Sequence, residues 1–191
     1  MLEITVRLKG ASPISFSRPI TTPKTTGEKA EAHEARTWRE RMHTAESGEV
    51  FIPPMAMKHC LADVAKFLGE TVPGKGKATY TKHYKAGLMV TEPMMLGVKG
   101  DEVKSERLFV PSDGKPGGGS RVWKIFPFIP AGWETVATLI VMDPVLTADP
   151  DKIKEHLVHA GKFIGMGRFR PINGGFYGRF AVDDFNVKEM N

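Results

Sequence analysis

The stretch "PDKIKEHLVHAGKFIGMGRFRPINGGFYGRFAVDDF", residues 150–185, decides how the rest of the chain is read. Asp149 stands just before it as a helix N-cap and Pro150 opens the first turn, so residues 150–160 are predicted to be a helix. Gly161 is read as its end. "FYGRFAVDDF" at the far side is read as a strand. Between them, residues 161–180 hold six Gly and four Phe, with four cations (Lys162, Arg168, Arg170 and Arg179) and no Asp or Glu.

Two readings of this window are open. In the first, cations fix phosphates, exposed rings stack on bases, and glycines let backbone N–H groups approach an anion closely. In the second, the segment is a glycine-rich turn that packs Phe163, Phe169, Phe176 and Phe180 into the core and leaves the arginines outward.

Working outward, Leu2, Ile4, Val6 and Leu8 alternate with polar residues, the period of a half-buried strand. "GASPISFSRPITTPKTTGEK" (10–29) is a loop by composition. "EKAEAHEARTWRERMH" (28–43) has strong helix formers and almost no apolar face, which predicts an exposed helix or a segment that orders on binding, not a core element. "EVFIPP" (49–54) is a short strand. "MAMKHCLADVAKFLG" (55–69) carries Leu61, Val64, Ala65 and Leu68 at helical spacing, with Pro54 at its start and Gly69 at its end. Residues 70–87 read as a basic loop. "LMVTEPMMLGV" (88–98) reads as one strand interrupted by Pro93. Residues 99–127 read as an inserted hairpin with the tip "SDGKPGGGS" (112–120), and "ETVATLIVMD" (134–143) as a buried strand. With the exposed helix and the hairpin set aside, the order is strand, helix, strand, strand, helix, strand. That predicts an α+β, ferredoxin-like core, the arrangement RRM-type RNA binders share. The whole of 1–191 is read as one domain with insertions at about 21–48 and 99–127.

The chain has 191 residues, 41% hydrophobic and 26% charged, which suits a globular protein with a real core. The net charge of +5 favours anionic partners. The single cysteine, Cys60, forms no internal disulfide and reads as a buried structural thiol, fitting a reducing compartment. "MLEITVRLKG" lacks the apolar run of a signal peptide, and no stretch has membrane-spanning length, so a cytoplasmic location is expected.

Three suggestive motifs fail. "GETVPGKG" (69–76) has Walker A spacing, but Gly76 stands where a hydroxyl must reach magnesium. "GMGRFR" (165–170) puts Arg170 where a dinucleotide fingerprint needs a small residue, and it follows a helix. His156 and His159 could seat a metal, yet no H-E-x-x-H or cysteine cluster accompanies them; they read as a pair at a helix C-terminus. No Ser sits in a nucleophile elbow. No cofactor or metal is expected.

The basic runs carry more. Lys75, Lys77, Lys82 and Lys85 are interleaved with Tyr80, His83 and Tyr84, with no acid from Pro73 to Gly87. Lys115, Arg121 and Lys124 lie on the hairpin, and Arg168, Arg170 and Arg179 in the glycine-rich window. A ferredoxin-like order is expected to bring at least two of these runs to one surface.

Two segments carry a family resemblance. "HAGKFIGMGRFRPINGGFYGRFAV" (159–182) is similar to the C-terminal glycine-rich loop of the RAMP superfamily of CRISPR-associated RNA-binding proteins. "VFIPPMAMKHCLADVAKFL" (50–68) resembles the strand, Ile-Pro turn and first helix of that superfamily's subunit that coats guide RNA. The hairpin falls where that subunit has its thumb. The turn departs from the usual Pro-Gly-Ser-Ser and reads Pro53-Pro54-Met55-Ala56, and the chain is short for a full backbone subunit. The resemblance implies RNA-phosphate contacts at Lys58, Gly165, Gly167, Arg168 and Arg170. It also implies self-association along single-stranded RNA and partnership with other CRISPR-type subunits.

The expectation is thus a non-enzymatic, single-stranded RNA-binding subunit that assembles side by side on RNA. Two rivals stand beside it: a RAMP-type endoribonuclease using His43 or Asp113, and a phage or mobile-element interaction module with Trp38, Trp123 and Trp133 as anchors.

Overall fold

The computed structural model describes residues 1–112, 114 and 119–190. The chain opens with β1 (Leu2–Gly10) and β2 (Ile14–Ser15), followed by α1 (Ala30–Thr37), β3 (His43–Thr44) and β4 (Glu49–Ile52). Two helices come next, α2 (Pro54–Leu68) and α3 (Thr81–Gly87). Five strands follow: β5 (Leu88–Val90), β6 (Met94–Lys99), β7 (Lys104–Pro111), β8 (Arg121–Ile129) and β9 (Glu134–Val141). Helices α4 (Pro144–Ala148) and α5 (Pro150–His159) then lead to β10 (Phe180–Glu189).

Four strands form an antiparallel sheet in the order β10-β1-β9-β5. Counted along the chain that is fourth, first, third, second, the ferredoxin-like arrangement. It follows from the alternation in β1: Leu2, Ile4, Val6 and Leu8 all face inward, where Leu61, Val64, Ile153 and Leu157 of α2 and α5 meet them. Full burial of each such side chain contributes roughly 1.5–3 kcal/mol. Helix α2 starts at Pro54 and stops at Gly69, whose φ of 65° only glycine adopts freely. Cys60 is buried, as expected. None of the described helices is long and apolar enough to cross a membrane.

Several local expectations need correction. The stretch 88–98 is two strands, not one. Pro93 lacks an N–H for a ladder, and the chain leaves the ferredoxin sheet there; β6 joins β3 and β4 in a second sheet of order β3-β4-β6. The basic stretch expected to be all loop ends in α3. The segment 28–43 is not an outlying helix. It runs through α1 into a tight turn at Trp38–Arg41, and Thr37, Trp38, Arg41 and Met42 are buried. An apolar stripe is absent because the docking is partly polar. The Arg41 guanidinium binds Glu34 at 2.7 Å and donates from Nε to the Ile125 carbonyl, while the Ile125 N–H donates to Glu34.

Gly161 does not end α5. The chain continues through one wider π turn, Ala160–Ile164, and stops at Gly165. Gly161 is needed for close approach instead: a Cβ there would sit 2.0 Å from the Phe180 carbonyl oxygen of β10.

The hairpin β7–β8 pairs in continuous register from Lys104↔Phe128 to Pro111↔Arg121, and β2 extends it to a third sheet, β2-β8-β7. Asp113 and Lys115, on its tip, lie outside the described residues.

Candidate nucleic-acid interface

The glycine-rich segment after α5 is held by backbone contacts at close range. The Met166 N–H donates to Gly178 O, Gly178 N–H to Pro13 O, and Arg168 N–H to Ser15 O. A Cβ on Gly178 would lie 1.7 Å from Met166 O, and one on Gly175 1.8 Å from Phe169 O. The glycines therefore let the loop's strands touch one another, so their first role is to lock the loop.

On this locked backbone the orientation is the reverse of the core-packing reading. Phe163, Phe169 and Phe176 are 44%, 52% and 56% exposed, and of the four only Phe180 is buried. Phe169 has a φ of 47°, a left-handed conformation costly for an aromatic residue.

The arginines turn inward or pair. The Arg168 guanidinium lies 3.6 Å over the Phe126 ring, its side chain only 14% exposed. It approaches Glu106 at 4.0 Å, and one of its nitrogens is buried without a hydrogen-bond partner among the described residues. Burial pushes its pKa down. Tyr177 donates its hydroxyl to the same Glu106, and burial followed by that carboxylate pushes the phenol up to about 12. Arg170 pairs with Asp63 of α2 at 3.0 Å. Arg179 is half-buried and donates from Nε to the Lys162 carbonyl at 3.2 Å, while Lys162 itself is exposed. Gly165 is buried and Gly167 exposed; a Cβ on Gly167 would strike Ser15 O at 2.5 Å.

The structure brings together the glycine-rich loop and the base of the hairpin, through Arg168, Tyr177, Glu106 and Phe126. It does not bring the lysine run to them. Glu70, at the start of that run, contacts Lys152 and His156 of α5, and Tyr80 packs edge-on to His156. Lys152 precedes the end of the π turn at Ile164 by about three turns of helix. Lys75, Lys77, Lys82 and Lys85 are exposed there, but Tyr80 is 3% exposed and has no free face for a base. Lys58 follows the other path: it lies two residues before Cys60, whose Sγ meets Gly165 O at 3.4 Å, so helical geometry turns it to the far side of α2. Arg121 lies at the outer end of the hairpin, above the Phe109 ring at 5.8 Å, in a row with Trp123 and Arg107. Lys124 is half-buried on β8.

The open face of the ferredoxin sheet is a poorer candidate. β1 turns Glu3, Thr5, Arg7 and Lys9 outward, and β9 turns Glu134, Val136, Thr138 and Ile140, with no ring to stack on a base.

His156 is held by its neighbours rather than free to cap the helix. His156 is fully buried, with Tyr84 Oη 2.7 Å from Nδ1 and Glu70 3.3 Å from Nε2. Burial lowers its pKa. Burial opposes ionisation of Glu70 too, but Lys152 and His156 hold it below the usual carboxylate range. Among the described residues no His, Cys, Asp and Glu cluster could hold a metal. His43 is half-buried against Phe51, its pKa lowered by burial and by Arg18. Trp38 and Trp133 are core residues, the latter donating to Ser12 O; only Trp123 is exposed.

Two solved structures are similar to this chain in overall fold. Cmr6 from Pyrococcus furiosus superposes over 95% of this chain and 99% of its own, with a TM-score of 0.51 and 14% identity. A chain of a Type IV-B CRISPR complex superposes over 97% of this chain and 90% of its own, with a TM-score of 0.50 and 11% identity. This chain shares the fold of these two chains. At such identities the likeness is one of fold. The chain spans nearly the whole length of both. No protein-family model and no curated protein matches the sequence.

Proposed function

We propose that this chain is a non-catalytic, single-stranded RNA-binding subunit of a CRISPR-type ribonucleoprotein, assembling side by side along the RNA. One observation carries the reading: a loop locked by backbone contacts presents Phe169 and Phe176 to solvent, with Lys162 and Arg179 beside it. Exposed rings take the faces of any base, and the cations take the phosphates between them. The presence of the same fold in a Type IV-B CRISPR complex supports the setting. In this reading Arg168 and Arg170 build the loop rather than touch RNA, and the row Arg107, Phe109, Trp123 and Arg121 on the hairpin reaches a neighbouring subunit's stretch of RNA. The lysines of 75–85 add a separate electrostatic contact.

The test is binding of labelled single-stranded RNA, single-stranded DNA and duplex across a salt series. Single-stranded RNA should bind best. Lys162→Ala/Arg179→Ala should flatten the log–log salt slope by about 1.4, at roughly 0.7 per phosphate contact. Phe169→Ala/Phe176→Ala should weaken binding with the slope unchanged. Absence of binding to any nucleic acid at low salt would sink the proposal. Among the described residues no feature favours the endoribonuclease rival, since His43 has no carboxylate partner and His156 is fully buried.

A further inference from the structure

Outside the loop, α2 and the π turn share a ladder of three rings. His159 stacks on Phe163 at 6.0 Å between centroids and 13° between planes, and Phe163 stacks on Phe67 at 5.5 Å and 26°. Phe67 is 53% exposed and Phe163 44%. The π turn makes this possible: its wider winding seats Phe163 beside His159 and toward α2, and such turns recur at functional sites. Two large rings kept in water, stacked rather than tucked away, mark a surface with a partner.

The charge around the ladder says what kind. Lys66 and Lys162 adjoin Phe67 and Phe163 in the chain and are exposed, and Arg179 is anchored on the Lys162 carbonyl. The nearby acids are already neutralised: Asp63, one turn before Phe67, by Arg170, and Glu155, one turn before His159, by Lys152. Glu70 is bound to Lys152 and His156. Stacked, sequence-tolerant ring faces beside exposed lysines fit nucleobases and their phosphates better than an apolar protein face.

We infer that Phe67, Phe163 and His159 form a second stacking platform, on which bases of the single strand continue after leaving Phe169 and Phe176. The inference rests on the RNA-binding reading, and Lys162 and Arg179 are the cations the two platforms share.

The experiment measures the affinity of a single-stranded oligoadenylate RNA of about 16 nucleotides for the wild type and for Phe67→Ala/Phe163→Ala. The Phe67→Tyr/Phe163→Tyr pair is measured alongside. The alanine pair should bind about tenfold more weakly with the salt slope unchanged, and the tyrosine pair, which keeps the rings, should bind as the wild type. Both rings are half in water, so circular dichroism should show the fold retained; should the alanine pair fail to fold, Phe67→Ala alone carries the same expectation. An alanine pair that binds as the wild type, while Phe169→Ala/Phe176→Ala is weakened, would overturn the ladder and leave the loop standing. Wild type that binds no RNA overturns both. Unchanged RNA affinity with a shift from oligomer to monomer in sedimentation would make the ladder a contact between copies, and would also overturn it.

Discussion

Phe169 is where local energetics and function oppose each other. Its φ of 47° costs about 1–3 kcal/mol for a non-glycine residue, and the close approach of Gly175 to its carbonyl leaves the backbone no other path. Glycine removes that strain and costs about 0.5–1 kcal/mol of extra chain entropy. Phe169→Gly should therefore raise stability by about 1 kcal/mol in chemical denaturation while lowering RNA affinity. A variant that is both less stable and fully binding would show that the ring serves packing alone. The sequence left two readings open here, rings exposed to bases or packed into the core: Phe163, Phe169 and Phe176 follow neither a helical nor a strand period, so no pattern chose between them.

At the scale of elements, the segment 28–43 and the hairpin hold each other through one buried pair. The Glu34 and Arg41 side chains are 13% and 10% exposed, and each also bonds the backbone of Ile125 in β8. Breaking such a pair leaves a buried cation and an unpaired N–H, so Glu34→Ala should cost about 3 kcal/mol in denaturation. Trypsin should then cut at Arg36 or Arg39 before the rest of the chain; equal protease resistance in variant and wild type would refute the clamp. The helix propensity of this segment was readable. Its docking was not, because a polar clamp between residues far apart in sequence has no periodic signature. The same limit hid the switch of sheets at Pro93, where the sequence showed an interruption but not which partner each half would choose.

At the scale of the whole molecule, one network ties the stretch 70–84 to α5: Tyr84, His156 and Glu70, with Lys152 at its edge. Burial holds His156 neutral below its ordinary pKa of 6.5. Between that value and the depressed one only the unfolded chain takes up the proton, so stability is complete above about pH 6.5 and falls as the pH drops below it. His43, lowered by burial and Arg18, contributes in the same window. The melting temperature should fall between pH 7.5 and pH 5.5, and His156→Gln, lower at pH 7.5, should show a shallower fall. An equally steep curve in the variant would remove His156 from the cause.

What the sequence determined by itself is the layered core. Period-two apolar residues in β1, helical spacing in α2 between Pro54 and Gly69, and the Asp149–Pro150 start of α5 are local signals, and they led to the ferredoxin-like order that the sheet β10-β1-β9-β5 shows. What only the tertiary structure decided is which charged and aromatic groups are free. Arg168 and Arg170 read as exposed cations until Glu106, Phe126 and Asp63, each more than 40 residues away in the chain, were seen against them. A charge's availability depends on its neighbours in space, and those neighbours are set by packing between elements rather than by the pattern within any one of them.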